Sequence, residues 1–188
     1  MSSVAEDLRL TAADYLAWEA SQTGRHEYLA GEVYSMTGGT LDHNRIAGNL
    51  YAALRTRLHG SPCEAFINDV KVRVEAADAY FYPDIVVTCS EADRRAERVL
   101  AEPRVIVEVL SPSTAAYDWG AKFEAYSRLP GLVEYVLVEA ERVAVHVQRP
   151  NAARRWERWS FGAGTALELA SLELAIPLEE IYAGTTLA

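Results

Sequence analysis

The stretch Val105-Ile106-Val107-Glu108-Val109-Leu110-Ser111-Pro112-Ser113 decides the predicted fold of this chain, because it predicts a buried strand. Its residues are mostly apolar and β-branched, and Ser-Pro ends the run. Glu108 alone interrupts it with a carboxylate. An unpaired carboxylate in a buried strand costs several kcal/mol or takes up a proton. We therefore expect a metal ion, a cationic side chain or a proton to compensate Glu108, and the first two would make it a site residue.

The segments before this strand predict helices and short strands. The pattern from Thr11 to Asp14 predicts a capped N-terminal helix, and a β-hairpin is expected around Ala30-Gly31. Asp42 is expected to cap a longer helix to about Leu58, since apolar residues recur every four positions. Further strands are predicted at 64–70, 70–74 and 81–87, the first two being either one strand or two.

The segments after the strand complete an alternating pattern. The charged segment 91–102 predicts a loop or short helix, and a helix is predicted over 117–127, before Pro130-Gly131. Strands follow at 134–138, 143–147 and 156–161, with a short helix around 178–182. This order predicts an α/β fold in one domain over 1–188, with a mixed β-sheet flanked by α-helices.

Composition limits the partners of the protein. The chain has 188 residues, half of them hydrophobic, and a net charge of −9. This charge weighs against nucleic-acid binding unless cations cluster or a divalent ion intervenes. Residues 154–159 mix arginines with tryptophans, which suits either DNA contact or an ordinary edge strand. Cys63 and Cys89 are expected to be reduced thiols in a cytoplasmic protein, and no apolar run is long enough to span a membrane.

A second carboxylate, Asp84, stands at the start of a predicted strand, 24 positions before Glu108. Taken singly, Asp84 could be a turn residue, and Glu108 could pair with an arginine in the core. Taken together, the two carboxylates indicate a metal site. Two carboxylates that converge in a cleft provide the oxygen ligands that Mg²⁺ takes together with waters and a substrate phosphate.

Several motifs of the chain resemble a known family. They are Pro83-Asp84, Glu108 in Val-Glu-Val-Leu-Ser-Pro-Ser-Thr, then Asp118, Lys122 and Tyr126, and Gly131 with Glu134-Tyr135. This combination resembles the family described as "putative restriction endonuclease", once a domain of unknown function, in the PD-(D/E)XK nuclease superfamily. The resemblance implies a restriction-endonuclease-like fold and a metal-dependent phosphodiesterase site. It also implies that Mg²⁺ or Mn²⁺ is held by Asp84, Glu108 and the carbonyl of Val109.

One position departs from the superfamily signature, which places a lysine two residues after the acidic residue. That position is Leu110 here, and the chain has only two lysines, Lys71 and Lys122. Lys122 lies four residues after Asp118 and four before Tyr126, on one helical face, and is expected to replace the missing lysine. The alternative is an Asp118–Lys122 surface ion pair. Lys71 alternates with valines on a predicted strand, so a solvated face suits it better.

Secondary candidates lie on other segments. His43 follows the predicted cap and either contacts phosphate or water at the cleft edge or has no role. Glu27 and Glu32 flank the hairpin turn and either hydrogen-bond the site, ligate a second metal or are simply exposed. Asp118 and Tyr126 join this secondary set because they share the helical face of Lys122.

These inferences predict a Mg²⁺- or Mn²⁺-dependent DNA endonuclease in which Asp84 and Glu108 hold the ion. Lys122 would orient the attacking water or stabilise the pentacovalent phosphorus. A homodimer is expected, since two symmetric sites suit the cutting of two strands. The alternative is an inactive module of the same fold, with Leu110 marking a lost site, that serves as a nucleic-acid-binding or assembly partner.

Overall fold

The computed structural model describes residues 9–36 and 38–188. The helices are, in chain order, α1 (Ala12–Glu19), α2 (Leu41–Arg57), α3 (Glu91–Arg95), α4 (Ala115–Tyr117), α5 (Phe123–Tyr126) and α6 (Leu178–Ile181). A π-helical turn, Asp118–Lys122, joins α4 to α5. The strands are β1 (His26–Leu29), β2 (Glu32–Ser35), β3 (Glu64–Ile67), β4 (Lys71–Val74), β5 (Ala79–Phe81), β6 (Ile85–Thr88), β7 (Val99–Leu100), β8 (Pro103–Leu110), β9 (Glu134–Glu139), β10 (Ala144–Pro150), β11 (Trp156–Gly162), β12 (Ala166–Leu169) and β13 (Leu174–Pro177).

The largest sheet has six strands in the order β11-β10-β9-β8-β6-β3. Strands β8 and β9 are parallel, and the other neighbours are antiparallel. The helical run from α4 to α5 forms the crossover between β8 and β9. Helix α2 packs on one face of the sheet and α5 on the other, which explains the nearly unbroken apolar run of β8. The predicted class, a mixed sheet flanked by helices, is confirmed.

A second sheet, in the order β2-β1-β5-β4-β7, covers one side of the site described below. Its N-terminal hairpin is confirmed: Ala30 and Gly31 both have positive φ, 49° and 97°, as a tight two-residue turn between strands requires. The capping box from Thr11 to Asp14 is also confirmed at the start of α1. Strands β12 and β13 form a separate hairpin that the sequence patterns did not predict.

Two predicted strands are divided between sheets. Segment 81–87 is split into β5 and β6, because Pro83 lacks an N–H for the ladder and the chain changes sheets there. Residues 64–74 form two strands, not one, separated at Asn68, which has a φ of +59°. Asp42 as the cap of α2 is wrong. Thr40 is the cap, since its hydroxyl accepts a hydrogen bond from the His43 amide at 3.1 Å.

The prediction of two reduced thiols is also wrong, because Cys63 and Cys89 form a disulfide. Strands β3 and β6 are antiparallel, with Glu64 opposite Thr88, so the next position in this register places Cys63 opposite Cys89. The pairing thus follows from strand register, which sequence spacing did not reveal. Reduced thiols therefore no longer support a cytoplasmic location, which stays a prediction. No helix among residues 9–36 and 38–188 is long and apolar enough to cross a membrane.

Candidate active site

The candidate active site is a cleft at the point where β6 begins and β8 approaches its end. Strands β6 and β8 are antiparallel, with Ile85 opposite Val107. The next position in this register places Asp84 opposite Glu108. The amide of Val109 donates a hydrogen bond of 2.7 Å to Asp84 Oδ2, which fixes this carboxylate against the end of β8. The two carboxylates singled out in the sequence therefore lie together.

Lys122 is the centre of a buried charge cluster. Its Nζ lies 3.0 Å from Glu108 Oε1, 2.9 Å from Glu27 Oε1 and 3.5 Å from Asp118 Oδ1. Lys122 is 5% exposed, and the three carboxylate residues are between 1% and 4% exposed. An Asp118–Lys122 pair on the surface is therefore excluded. Three carboxylates share one ammonium group.

The helical run after β8 brings Asp118, Lys122 and Tyr126 to the sheet face on which Glu108 lies. Glu108 alternates with Val107 and Val109 and points to the sheet face that α5 covers, together with Ile106 and Leu110. Asp118 and Lys122 lie in the π-helical turn, a feature often found at functional sites. One turn later, Tyr126 donates a hydrogen bond of 3.3 Å to Glu108 Oε1.

The electrostatics of the cleft reflect an excess of negative charge. Burial raises the pKa of Glu108 well above its ordinary value, and the nearby carboxylates add to this, while Lys122 opposes it. Burial likewise raises the pKa of Glu27 and of Asp118 against the opposing effect of Lys122. Burial by itself lowers the pKa of Lys122, but Glu108 and Glu27 outweigh it and leave the pKa raised. Lys122 is therefore charged, and the surplus carboxylates need protons or a further cation.

His43 closes the cleft from α2. Its Nε2 lies 3.5 Å from Asp84 Oδ2. Burial lowers the pKa of His43, but hydrogen bonds and charge from Asp84, with the Val109 backbone, leave it raised. A Cβ atom on Gly39 would lie 2.8 Å from the His43 ring, so this glycine is required for the close approach of the loop.

Two secondary candidates lie elsewhere. Glu32 is exposed on β2 and accepts a hydrogen bond from the Tyr34 hydroxyl. Lys71 lies over the rings of Tyr15 and Tyr82, 5.9 and 5.1 Å from their centroids, and does not line the cleft. The solvated sheet face predicted for Lys71 is only partly right, because the side chain is half-buried.

Sequence reasoning missed residues that line the cleft. Ser111 and Thr114 belong to the Ser-Pro-Ser-Thr segment after Glu108, and their hydroxyls lie 2.9 Å apart. Their position directly after the anomalous strand was the signal that could have found them. Tyr82 also lines the cleft; its amide donates to Glu27 Oε1 at 3.0 Å and its hydroxyl to Glu19 at 2.9 Å. Nothing in the sequence links Tyr82 to Glu19.

The aromatic and basic segment 154–159 lies away from the cleft, mostly on β11, the far edge of the six-stranded sheet. Arg158 lies over the Trp119 ring and Arg149 over the Trp159 ring, at 5.3 and 5.1 Å from their centroids. The interpretation as an edge strand is confirmed. DNA contact by this segment stays a prediction.

The donor set of the cleft suits a hard divalent cation. Asp84 and Glu108 provide carboxylate oxygens next to the Val109 backbone, and Mg²⁺ commonly combines one or two carboxylates with waters. The surplus of negative charge around Lys122 is the kind that such an ion offsets. Among residues 9–36 and 38–188, no group of three or more His, Cys, Asp or Glu side chains is arranged as a metal site.

The fold places this chain in the class of nuclease-like α/β folds. A crystal structure from Anabaena variabilis, described as a putative nuclease belonging to DUF820, has the same fold. Its TM-score to this chain is 0.78, with 17% sequence identity, and the match covers 92% of this chain and 97% of that one.

The family is identified from the sequence match. Residues 12–179 match Uma2, described as "Putative restriction endonuclease", and the chain belongs to this family. The resemblance stated from the motifs is thereby confirmed. Two relatives come from Synechocystis sp. (strain ATCC 27184 / PCC 6803 / Kazusa). "Uncharacterized protein slr1290" is 36% identical over 94% of this chain and 93% of its own length. "Uncharacterized protein sll1609" is 32% identical over 83% and 89%, respectively.

Proposed function

We propose that this protein is a Mg²⁺- or Mn²⁺-dependent endonuclease that hydrolyses phosphodiester bonds in DNA. The observation that carries the proposal is the placement of Asp84 opposite Glu108, with the Lys122 ammonium 3.0 Å from Glu108. Family membership and the nuclease-like fold support it. The divalent ion also answers the objection from the net charge of −9, since it brings positive potential to the point where a phosphate would bind.

The residues of the cleft would have different roles in hydrolysis. Asp84, Glu108 and the Val109 carbonyl would hold the ion, which supplies a water of lowered pKa and offsets charge on the phosphate. Lys122 would orient that water or stabilise the pentacovalent phosphorus, because it is charged and fixed at the inner end of the cleft. Glu27 and Asp118 hold the ammonium in position.

Leu110, the residue at the signature lysine position, does not argue for a lost site in this geometry. Its side chain is buried in the core between the sheet and α5, on the face that also carries Glu108. Lys122 reaches Glu108 from the helix that covers this face. This contact supports the proposal that Lys122 takes the place of the signature lysine.

A homodimer belongs to the same proposal. Strand β11 is an edge of the six-stranded sheet, and no strand pairs with its outer side in the described part of the chain. Antiparallel pairing of β11 with the β11 of a second copy over its full length would centre on Trp159, which is 39% exposed. Arg158 would then face Ser160, and no like charges would oppose each other. Light scattering of the wild-type protein and of Trp159→Pro tests this: the proline variant should be monomeric, and equal masses would contradict the interface.

The function is tested by incubating the protein with plasmid DNA and either Mg²⁺ or Mn²⁺. We expect cleavage that stops with EDTA and that falls about 10²–10³-fold in Asp84→Asn and Glu108→Gln. Glu134→Gln is the matched control, because Glu134 is equally buried but lies outside the cleft. Cleavage that persists in both cleft variants, or that no metal supports, would leave the inactive binding module as the better interpretation.

A further inference from the structure

We infer that the substrate's sugar-phosphate chain leaves the cleft along one particular groove, whose wall carries Arg25. This inference rests on the proposed function and names the path of the substrate. A cavity next to the cleft shares His43, Asp84 and the Gly38-Gly39 loop with it. From there it continues past Thr23, Gly24, Arg25, Asn44 and Asn68, which we call the Arg25 groove.

The charge of the walls distinguishes the Arg25 groove from the rest of the cleft. The cleft is lined by Glu27, Glu108 and Asp118 in addition to Asp84, and these four carboxylates outnumber its one lysine, Lys122. Asp84 is the only carboxylate among the described residues that line the groove, and the other polar side chains there include an arginine and two asparagines. A phosphodiester chain bound at Asp84 through a cation would be repelled deeper in the cleft and would find donors along the groove.

The groove wall is fixed relative to the site. Asn68 begins the turn between β3 and β4, and its amide donates a hydrogen bond of 2.9 Å to the Asp84 carbonyl. The Arg25 carbonyl accepts a hydrogen bond of 3.0 Å from the amide of Met36, at the start of the glycine loop. Asn44 follows His43 on α2. The first bond connects Asn68 to the backbone that carries Asp84, and the second connects Arg25 to the glycine loop.

Arg25 is available to a phosphate. Its guanidinium contacts Asp69, and the two side chains are 47% and 68% exposed. An exposed ion pair of this kind contributes little, so a phosphate can replace Asp69 at small cost. Arg25 can offer a phosphate two parallel hydrogen bonds. Asp69 then acts as a competitor of the substrate.

Binding measured without hydrolysis tests the groove. Fluorescence anisotropy with Ca²⁺ in place of Mg²⁺, an ion that carboxylate oxygens also bind, would use fluorescein-labelled strands of one sequence as duplex DNA, single-stranded DNA and RNA. We expect Arg25→Ala to weaken binding of at least one of these probes about 5–10-fold and to lower the slope of log affinity against log salt by about 1. Asp69→Asn should strengthen binding of the same probe. The probe that responds most identifies the nucleic acid.

Arg73→Ala is the matched control. Arg73 is 43% exposed and contacts an exposed carboxylate, that of Glu75, but it does not line the groove. Equal effects of Arg25→Ala and Arg73→Ala on every probe, or no binding by the wild type, would overturn the groove. Wild-type binding that depends on Arg25 without any cleavage would retain the groove and refute the endonuclease. Cleavage whose KM does not change in Arg25→Ala would support the endonuclease and refute the groove.

Discussion

Two buried carboxylates on neighbouring parallel strands, Glu108 on β8 and Glu134 on β9, have opposite surroundings. Glu134 is 1% exposed and accepts a hydrogen bond of 2.7 Å from Arg149 Nε. It also accepts bonds from the Ala170 amide, and from the amide and hydroxyl of Ser171. Glu108 is 4% exposed and shares the Lys122 ammonium with Glu27 and Asp118.

The two carboxylates differ in how their charge is balanced. Glu134 has a cation of its own and three further donors, so its charge is balanced within the protein, and it fastens the turn between β12 and β13 to the sheet. Around Lys122, three carboxylates depend on one positive charge. A buried cluster left short of positive charge is unfavourable unless it binds a proton or a cation. Burial alone, which first drew attention to Glu108, applies equally to Glu134.

The largest expected effect comes from removing the two cations. Lys122→Met should lower the free energy of unfolding by about 3–5 kcal/mol, because three buried carboxylates then lack any positive partner. Arg149→Met should cost about 1–3 kcal/mol, since Glu134 keeps three hydrogen-bond donors. Urea unfolding in EDTA measures both.

The two variants control each other, because each replaces a long, largely buried cation with methionine. Equal losses, or a larger loss in Arg149→Met, would contradict the distinction between a balanced and an unbalanced cluster. A smaller loss for Lys122→Met at acidic pH than at neutral pH would support it further, since protonation removes the surplus charge.

The sequence predicted one of these clusters better than the other. Glu108, Lys122 and Tyr126 were found together because a carboxylate in an apolar run is visible and helical spacing aligns Lys122 with Tyr126. The sequence could not place Glu27 among the main site residues, because charged residues of a hairpin are usually exposed. The burial of Glu27 depends on how the second sheet packs over the cleft. Ala170 and Ser171 were not predicted as partners of Glu134, since they lie in the β12–β13 hairpin, which the sequence patterns did not predict.

Binding of a divalent ion should have the next largest effect. At about one hundred times the Kd, Mn²⁺ should raise the free energy of unfolding by about 2.7 kcal/mol. This increment should disappear in Asp84→Asn and persist in Glu134→Gln, because only the first variant removes a proposed ligand. Thermal unfolding with and without Mn²⁺ measures it, and an undiminished increment in Asp84→Asn would rule out the proposed site.

The smallest expected effect is a pH dependence of stability in EDTA. The pKa of Glu108 is raised in the folded state by burial, so the folded protein holds a proton that the unfolded chain has already released. The stability associated with this group is present below the unfolded pKa, near 4.3, and is lost as the pH rises through the higher folded pKa. Glu108→Gln lacks this loss. Its stability relative to wild type should therefore increase with pH.

A carboxylate with its own arginine should show the opposite sign. Arg57 contacts both oxygens of Glu180, at 2.9 and 2.7 Å, and these hydrogen bonds lower the pKa of Glu180. Its stabilisation is present above the unfolded pKa and lost as the pH falls, so Glu180→Gln should be less stable than wild type at neutral pH. Urea unfolding between acidic and neutral pH compares the three proteins. If both variants deviate from wild type in the same direction, the charge surplus at Glu108 is not real, because two balanced carboxylates would behave alike.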